Sequence, residues 1–295
     1  MTPRQKRAAV AAVVSLGMAT RRRACRVLRL SRSTAYYRSE AAPEKLAQEG
    51  LVEAVSREHP AWGYRKVTAV LRAEHGEAIN AKRVARLRRM RGLAASRRRA
   101  KKRRVTPSQA ARQSARQRDE VWSYDFISDA LVNGRSVRIL SVIDEYTREC
   151  VALRAALSFP ARRVIDTLEE TLICQGRKPQ WLRSDNGPEF IAQRVQEWLG
   201  QAQVGPCYIT PGSPWENGHV ESFHASLRAE LLDRELFVSV GEVNALLEQW
   251  REHYNEQRPH GSLGYRSPAQ FAKRELPLRP TACAPVPAGQ VAQTN

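Results

Sequence analysis

The chain is poor in cysteine and aromatic residues and, over its first 118 residues, in acid. Its five cysteines, Cys25, Cys150, Cys174, Cys207 and Cys283, are odd in number, widely spread and include no Cys-x-x-Cys pair. That excludes a disulfide framework and a structural zinc site of the usual spacing. His219, His224 and His260 have no partners at ligand spacing and add no zinc cluster. No run of 18 apolar residues occurs, so the sequence offers no spanning helix. The apolar stretch Ala8 to Leu16 is short and leads into three arginines at 21–23 instead of a mature secreted domain. It is therefore not read as a secretory leader, and the expected location is the cytoplasm, with no membrane partner.

What is present is positive charge, unevenly placed. Residues 1–118 carry 31 Lys and Arg against 7 Asp and Glu, an excess of 24, whereas residues 119–295 carry 18 against 23. The net +19 therefore comes from one side of the chain. A basic segment releases counterions from a polyanion such as nucleic acid, while a mildly acidic segment concentrates carboxylates, the division expected of a metal-dependent enzyme acting on DNA. A solubilising charged face would not be confined to one side of residue 118.

The basic half reads as two helical modules. In residues 1–42, helices are expected over Arg4 to Leu16 and Arg21 to Leu28, with Leu30-Ser31-Arg32-Ser33 as turn and cap before Thr34 to Arg38. This is a helix-turn-helix rhythm that puts Arg32 and Arg38 near the DNA-reading end. In residues 43–95, helices are expected over Glu44 to Arg57, Tyr64 to Glu74 and Ala81 to Arg91, with Val67, Val70, Leu71, Val84 and Leu87 at core spacing. Arg83, Arg86, Arg88, Arg89 and Arg91, in the last of these, are expected to track phosphates. Residues 96–118, with Arg97, Arg98, Lys101 and Lys102, cannot build a core and read as a basic linker that contacts phosphate.

After residue 118 the pattern becomes alternating. Strands are expected over Val121 to Ile127, Ser136 to Ile143 and Cys150 to Leu153, with Asn133-Gly134 as the first turn. A helix over Ala161 to Gln175, a strand over Gln180 to Ser184, a helix over Pro188 to Leu199 and a strand over Pro206 to Ile209 follow. The fold class is thus α/β: a mixed five-stranded sheet flanked by helices, preceded by all-α DNA-binding modules. The catalytic part is expected over 119–275, with a disordered tail over 276–295.

Three carboxylates occupy informative places. Asp125 lies near the end of the first strand and Asp185 ends the fourth, before the turn at Asn186. Glu221 lies on a helix, with 35 residues between it and Asp185. Hard cations such as Mg2+ or Mn2+ prefer such oxygen ligands, and two ions about 4 Å apart activate both oxygens of an in-line phosphoryl transfer. Glu221, His224 and Arg228 share one helical face, while Phe223, Leu227 and Leu231 turn to the core. Arg228 is thus expected to hold a phosphate beside the metals. Asp144 and Glu145 also follow a strand, but Glu145-Tyr146-Thr147-Arg148 reads as a turn. Glu189 is expected beside the site, and Trp215 reads as packing or as a ring for a splayed base.

The segments Trp122-Ser123-Tyr124-Asp125, Ser184-Asp185-Asn186-Gly187-Pro188-Glu189-Phe190 and Val220-Glu221-Ser222-Phe223 through Leu227-Arg228 resemble the Asp, Asp, 35-residue, Glu signature of insertion-sequence transposases with a retroviral integrase-like core. The similarity continues through Tyr254 to His260 and Leu263 to Pro268, and upstream through His59-Pro60-Ala61-Trp62-Gly63-Tyr64-Arg65, so it spans roughly residues 20 to 272. The chain is most similar to second-reading-frame proteins of two-frame elements. His224 stands where an aromatic ring is more usual, and Arg228 where Lys is common.

The resemblance implies an RNase H-like fold and metal-dependent DNA cleavage and strand transfer without a covalent protein intermediate. Asp125, Asp185 and Glu221 would hold two Mg2+ or Mn2+ ions, and Asn186, His224, Arg228 and Arg65 would lie along the DNA. It implies double-stranded DNA, element ends and target, as partner, a homo-oligomer on that DNA, and an upstream-frame protein as partner or fusion. A hydrolysis-only nuclease and an inactive or domesticated DNA-binding regulator are the alternatives.

Overall fold

A computed structural model describes residues 1–36, 43–95, 115–185, 187, 189–190, 192–209 and 217–275. The chain forms two compact units, residues 1–51 and 52–295.

In the first unit, α1 (Pro3–Ser15) starts from a capping box: the Thr2 hydroxyl accepts from Gln5 N–H at 3.3 Å, and the Gln5 side chain accepts from Thr2 N–H at 2.8 Å. Thr20 caps α2 (Arg21–Val27) and Ser31 precedes α3 (Arg32–Tyr36), accepting from Thr34 N–H at 3.1 Å. Val10, Ala24 and Cys25 form their small core. The predicted third helix thus begins two residues early, because Ser31 takes the capping position. α4 (Pro43–Glu58) crosses the division between the units.

In the second unit α4 is followed by α5 (Tyr64–Ala73) and α6 (Ala81–Met90), which bury Val67, Val70, Leu71, Val84 and Leu87 as their spacing predicts. One expectation fails here. Arg88 is 2% exposed; its guanidinium donates to the Trp62 carbonyl at 2.6 Å and the Leu93 carbonyl at 3.1 Å, so it fixes the module from inside and does not track phosphate. Arg91 is held by Glu53. Lys82, Arg86 and Arg89 are the exposed cations of α6.

The sheet contains β1 (Val121–Ala130), β2 (Ser136–Asp144), β3 (Cys150–Ala156), β4 (Trp181–Ser184) and β5 (Gly205–Tyr208), in the order β3-β2-β1-β4-β5. The first three form an antiparallel meander, and β4 and β5 add in parallel. That is the mixed RNase H-like arrangement expected. Gly134, at φ 81°, makes the β1–β2 turn, where a residue with a Cβ would be strained.

Each face of the sheet has its own core. Trp122, Tyr124, Leu140 and Val142 pack under α7 (Ala161–Gln175) and α8 (Gln193–Ala202). Ile127, Ile139, Ile143 and Leu153 pack under α9 (Gly218–Leu227) and α10 (Val240–Glu256). Beyond α10, α11 (Pro268–Glu275) closes the described chain. The helix predicted from Pro188 begins only at Gln193. Phe190 is the reason: it is 1% exposed, stacks on Phe126 and meets the Tyr124 ring edge-on, with centroids 5.1 and 4.3 Å away, and its N–H closes a turn onto the Gly187 carbonyl at 2.9 Å. Burying that ring fixes the segment as a turn before helix can start.

Candidate active site

Strand register brings the first two carboxylates together. Ser123 pairs with Arg183 across parallel β1 and β4. Two residues on, that register runs Asp125, still inside β1, towards Asp185, which follows the last residue of β4. Alternation puts Asp125 on the face of Ser123 and Ile127, the face crossed by α9. Glu221 is in the first turn of that helix and exposed.

The electrostatics of Asp125 record this arrangement. Burial first, and then the charges of Asp185 and Glu221, push its carboxyl up to about 6, against the opposing Phe126 N–H and Arg138. Phe126 N–H donates to Asp125 Oδ1 at 2.7 Å. Among the described residues, no three His, Cys, Asp or Glu side chains are gathered closely enough to hold one ion together. The three carboxylates share a field without forming a closed cage.

His224, one turn after Glu221, is tied into the same face. Its Nε2 lies 2.7 Å from Ser141 Oγ, and Ser141 is the β2 register partner of Asp125 and lies 3.1 Å from the Asp125 carbonyl. His224 Nδ1 stands 3.9 Å from Asp125 Oδ2. Burial, with Arg228 adding to it, lowers the His224 pKa to about 4, so the ring is neutral at pH 7. The helix then widens into a π-helical turn over Arg228–Leu232. Arg228 sits in that turn, donates to the Ser128 carbonyl at 2.8 Å and lies 3.7 Å from Asp233.

Gly187 separates two carboxylates: a Cβ there would meet Asp185 Oδ1 at 2.9 Å and Glu189 Oε2 at 3.2 Å. Glu189 in turn pairs with Arg138, whose guanidinium covers the Phe126 ring at 4.0 Å. Asp144, the last residue of β2, fastens the turn expected over Glu145 to Arg148: it accepts from Tyr146 and Thr147 N–H at 2.8 and 2.9 Å, and from Asp119 N–H at 2.8 Å. Glu145 is buried in an ion pair with Arg183 at 2.8 Å. That pair leaves no mark in the sequence, because 38 residues separate its members and their pairing follows no motif.

Arg32 is exposed at the start of α3, Arg65 is exposed on α5 beside Tyr64, and Arg83 is half-buried on α6. Asn186, Arg38, Arg97, Arg98, Lys101 and Lys102 lie outside the described residues, as does Trp215.

The strand order is the one expected of an integrase-type core, and the sequence families and relatives that match the chain agree. Residues 115–214 and 202–268 match models of the integrase core domain, and residues 43–101 match an HTH-like domain. A 31.7 kDa protein of insertion element IS407 from Burkholderia multivorans is 36% identical over 265 residues, covering 90% of this chain and 93% of that one. A 39.2 kDa protein of insertion element IS476 from Xanthomonas euvesicatoria is 34% identical, covering 92% and 78%. Transposase InsD of insertion element IS2 from Escherichia coli is 30% identical, covering 74% and 75%. Among solved structures, the HTLV-2 integrase catalytic core in complex with magnesium is 16% identical, with a TM-score of 0.42, over 52% of this chain and 96% of that one.

The chain belongs to the family of insertion-element transposases that carry an integrase core behind an HTH-like domain. Its macromolecular partner is DNA. Among the described residues, no helix is long and apolar enough to cross a membrane.

Proposed function

We propose that this transposase cuts a DNA strand at each element end and joins the freed 3′ hydroxyl to target DNA, with Asp125, Asp185 and Glu221 as the carboxylates that hold two Mg2+ or Mn2+ ions. The observation that carries the reading is the parallel register of β1 and β4, Ser123 against Arg183, which runs Asp125 of β1 towards Asp185 just past β4 on the face crossed by α9; burial and the charges of Asp185 and Glu221 act together on the Asp125 carboxyl. A site that gathers negative charge against its own interest is completed by a hard cation, and its carboxylate donors fit one. When bound there, the ions would lower the barrier to attack by an oxygen nucleophile and stabilise the leaving oxygen.

The chain's own residues do the rest. Asp125 and Asp185 present oxygens from the rigid sheet, and Glu221 presents its carboxylate from the first turn of α9. His224, neutral and bound to Ser141, keeps α9 against β2 and so keeps Glu221 over the sheet. In the first step a water oxygen attacks phosphorus, the P–O3′ bond breaks, and the oxygen leaves as the 3′ hydroxyl. In the second, that hydroxyl attacks a target phosphorus and displaces a target 3′ oxygen. No protein–DNA bond forms in either step. Exposed cations of α6 and Arg65 supply phosphate contacts, and an oligomer holds two ends together, with an upstream-frame protein as partner or fusion.

The test is cleavage and joining of labelled element-end DNA with Mg2+ or Mn2+, for the wild type and Glu221→Gln. Joined product that is absent with the variant, while end binding is retained, supports the reading. Cleavage without joining supports a nuclease, and binding without chemistry in both proteins supports a regulator.

A further inference from the structure

Directly behind the candidate metal carboxylates lies a buried charge pair that the chemistry above does not use. Ser123 and Arg183 are register partners on β1 and β4, each two residues before a carboxylate, and their side chains share the sheet face of Asp125 and Asp185. Glu145, in the β2–β3 turn, binds both. Its Oε1 accepts from Ser123 Oγ, and Arg183 Nη1 donates to Oε1 and Oε2 at 2.8 Å each. All three are nearly sealed from solvent, at 0% exposed for Ser123, 2% for Glu145 and 9% for Arg183. The turn is itself fastened to the sheet, because Glu145 N–H donates to the Val121 carbonyl at 3.0 Å.

The bridge ties β1 to β4 one pleat repeat, about 7 Å, before Asp125, where the two strands are already paired, and so braces the segments from which Asp125 and Asp185 extend. It also cancels a fixed cation: at that distance an uncompensated guanidinium would oppose a divalent ion in a poorly screened environment.

We propose that Glu145 and Arg183 are positioning residues of the candidate metal site, with Glu145 bridging β1 to β4 and neutralising Arg183 so that Asp125 and Asp185 keep both their spacing and their negative field. The inference rests on the metal-site reading above.

The experiment is Mn2+ titration of the full chain followed by electron paramagnetic resonance, which reads bound metal directly, with circular dichroism as the check on folding. Glu145→Gln keeps the shape and an acceptor for Ser123 but exposes Arg183; its Mn2+ binding is expected to weaken by about tenfold or more. In the double variant Glu145→Gln/Arg183→Gln neutrality returns, and binding is expected within about threefold of wild type. A role confined to stability would leave binding per folded molecule unchanged in the single variant, and that result overturns the proposal. A double variant as weak as the single one overturns the neutralising role. Should Glu145→Gln fail to fold, Ser123→Ala keeps both charges and removes only the β1 anchor; binding weakened about threefold supports the bridge and unchanged binding overturns it. Asp125→Asn separates the two readings: if it binds Mn2+ as wild type does, the metal-site reading itself falls, and the bridge with it.

Discussion

Gly187→Ala should damage the chemistry while sparing the fold. The added methyl would sit 2.9 Å from Asp185 Oδ1, 3.2 Å from Glu189 Oε2 and 3.4 Å from a Phe190 ring carbon. Ordinary contact begins at about 3.5 Å, so the nearest carboxylate oxygen must retreat by roughly half an ångström. The ring has little room to move, since Phe190 is stacked on Phe126 in the core, and Glu189 is held by Arg138. Asp185, half-exposed at the end of β4, is the group that yields. Its movement costs little stability, about 1 kcal/mol or less. Displacing a reacting group by a fraction of an ångström, in contrast, costs about tenfold to a hundredfold in rate. Single-turnover cleavage and joining on labelled end DNA, with a thermal melt of each protein, reads both quantities. Wild-type rates in a folded variant would refute the placement of Asp185 at the reacting centre.

Further predictions concern stability and DNA. Arg258, 3% exposed, donates to Glu230 at 2.7 and 2.8 Å and to Ser226 Oγ at 2.8 Å, so Arg258→Met should cost about 3–5 kcal/mol in denaturant unfolding by removing the guanidinium from a largely buried carboxylate, which keeps Lys66 at 3.7 Å and the Trp62 side chain. A cost under about 1 kcal/mol would contradict that burial. In metal-free protein Asp125 holds its proton up to about pH 6, well above an unfolded carboxyl. Its contribution to stability is therefore present at low pH and disappears as pH rises through 6, so Asp125→Asn should raise the melting temperature at pH 7.5 and change it little at pH 4. Replacing Lys82, Arg86 and Arg89 of α6 together by Gln should flatten the salt dependence of DNA binding, by about 0.9 in log–log slope for each phosphate the variant no longer neutralises. An unchanged slope would remove α6 from the DNA surface.

The parts of the fold legible in the sequence are those with strong periodicity. Strands β1 and β2 alternate, α5 and α6 repeat every three to four residues, and Asn133-Gly134 marks its turn, so all stand near their expected positions. The start of α8 is hidden because Phe190 answers to a distant aromatic cluster and not to its neighbours in sequence. The burial of Arg88 is hidden for a related reason: four arginines on α6 look alike in sequence, and only the position of the Trp62 carbonyl decides which one is buried. Asp185 follows β4 and Glu221 lies in the first turn of α9 as their sequence context suggests, but Asp125 lies mid-strand, because β1 runs on to Ala130, three residues past its expected end. Their support is not legible in the sequence, since Glu145 meets Arg183, and Ser141 meets His224, only once the chain is folded.

A change of metal preference at Asp125 would show directly whether its carboxylate holds the reacting metal. A thiolate in place of the carboxylate is a softer ligand that favours Mn2+ over Mg2+. Asp125→Cys should lose joining in Mg2+ and regain about tenfold or more of it when Mn2+ is supplied, beyond any Mn2+ effect on wild type. An equal deficit in both metals, with folding and end binding intact, would contradict the claim that Asp125 holds the reacting metal.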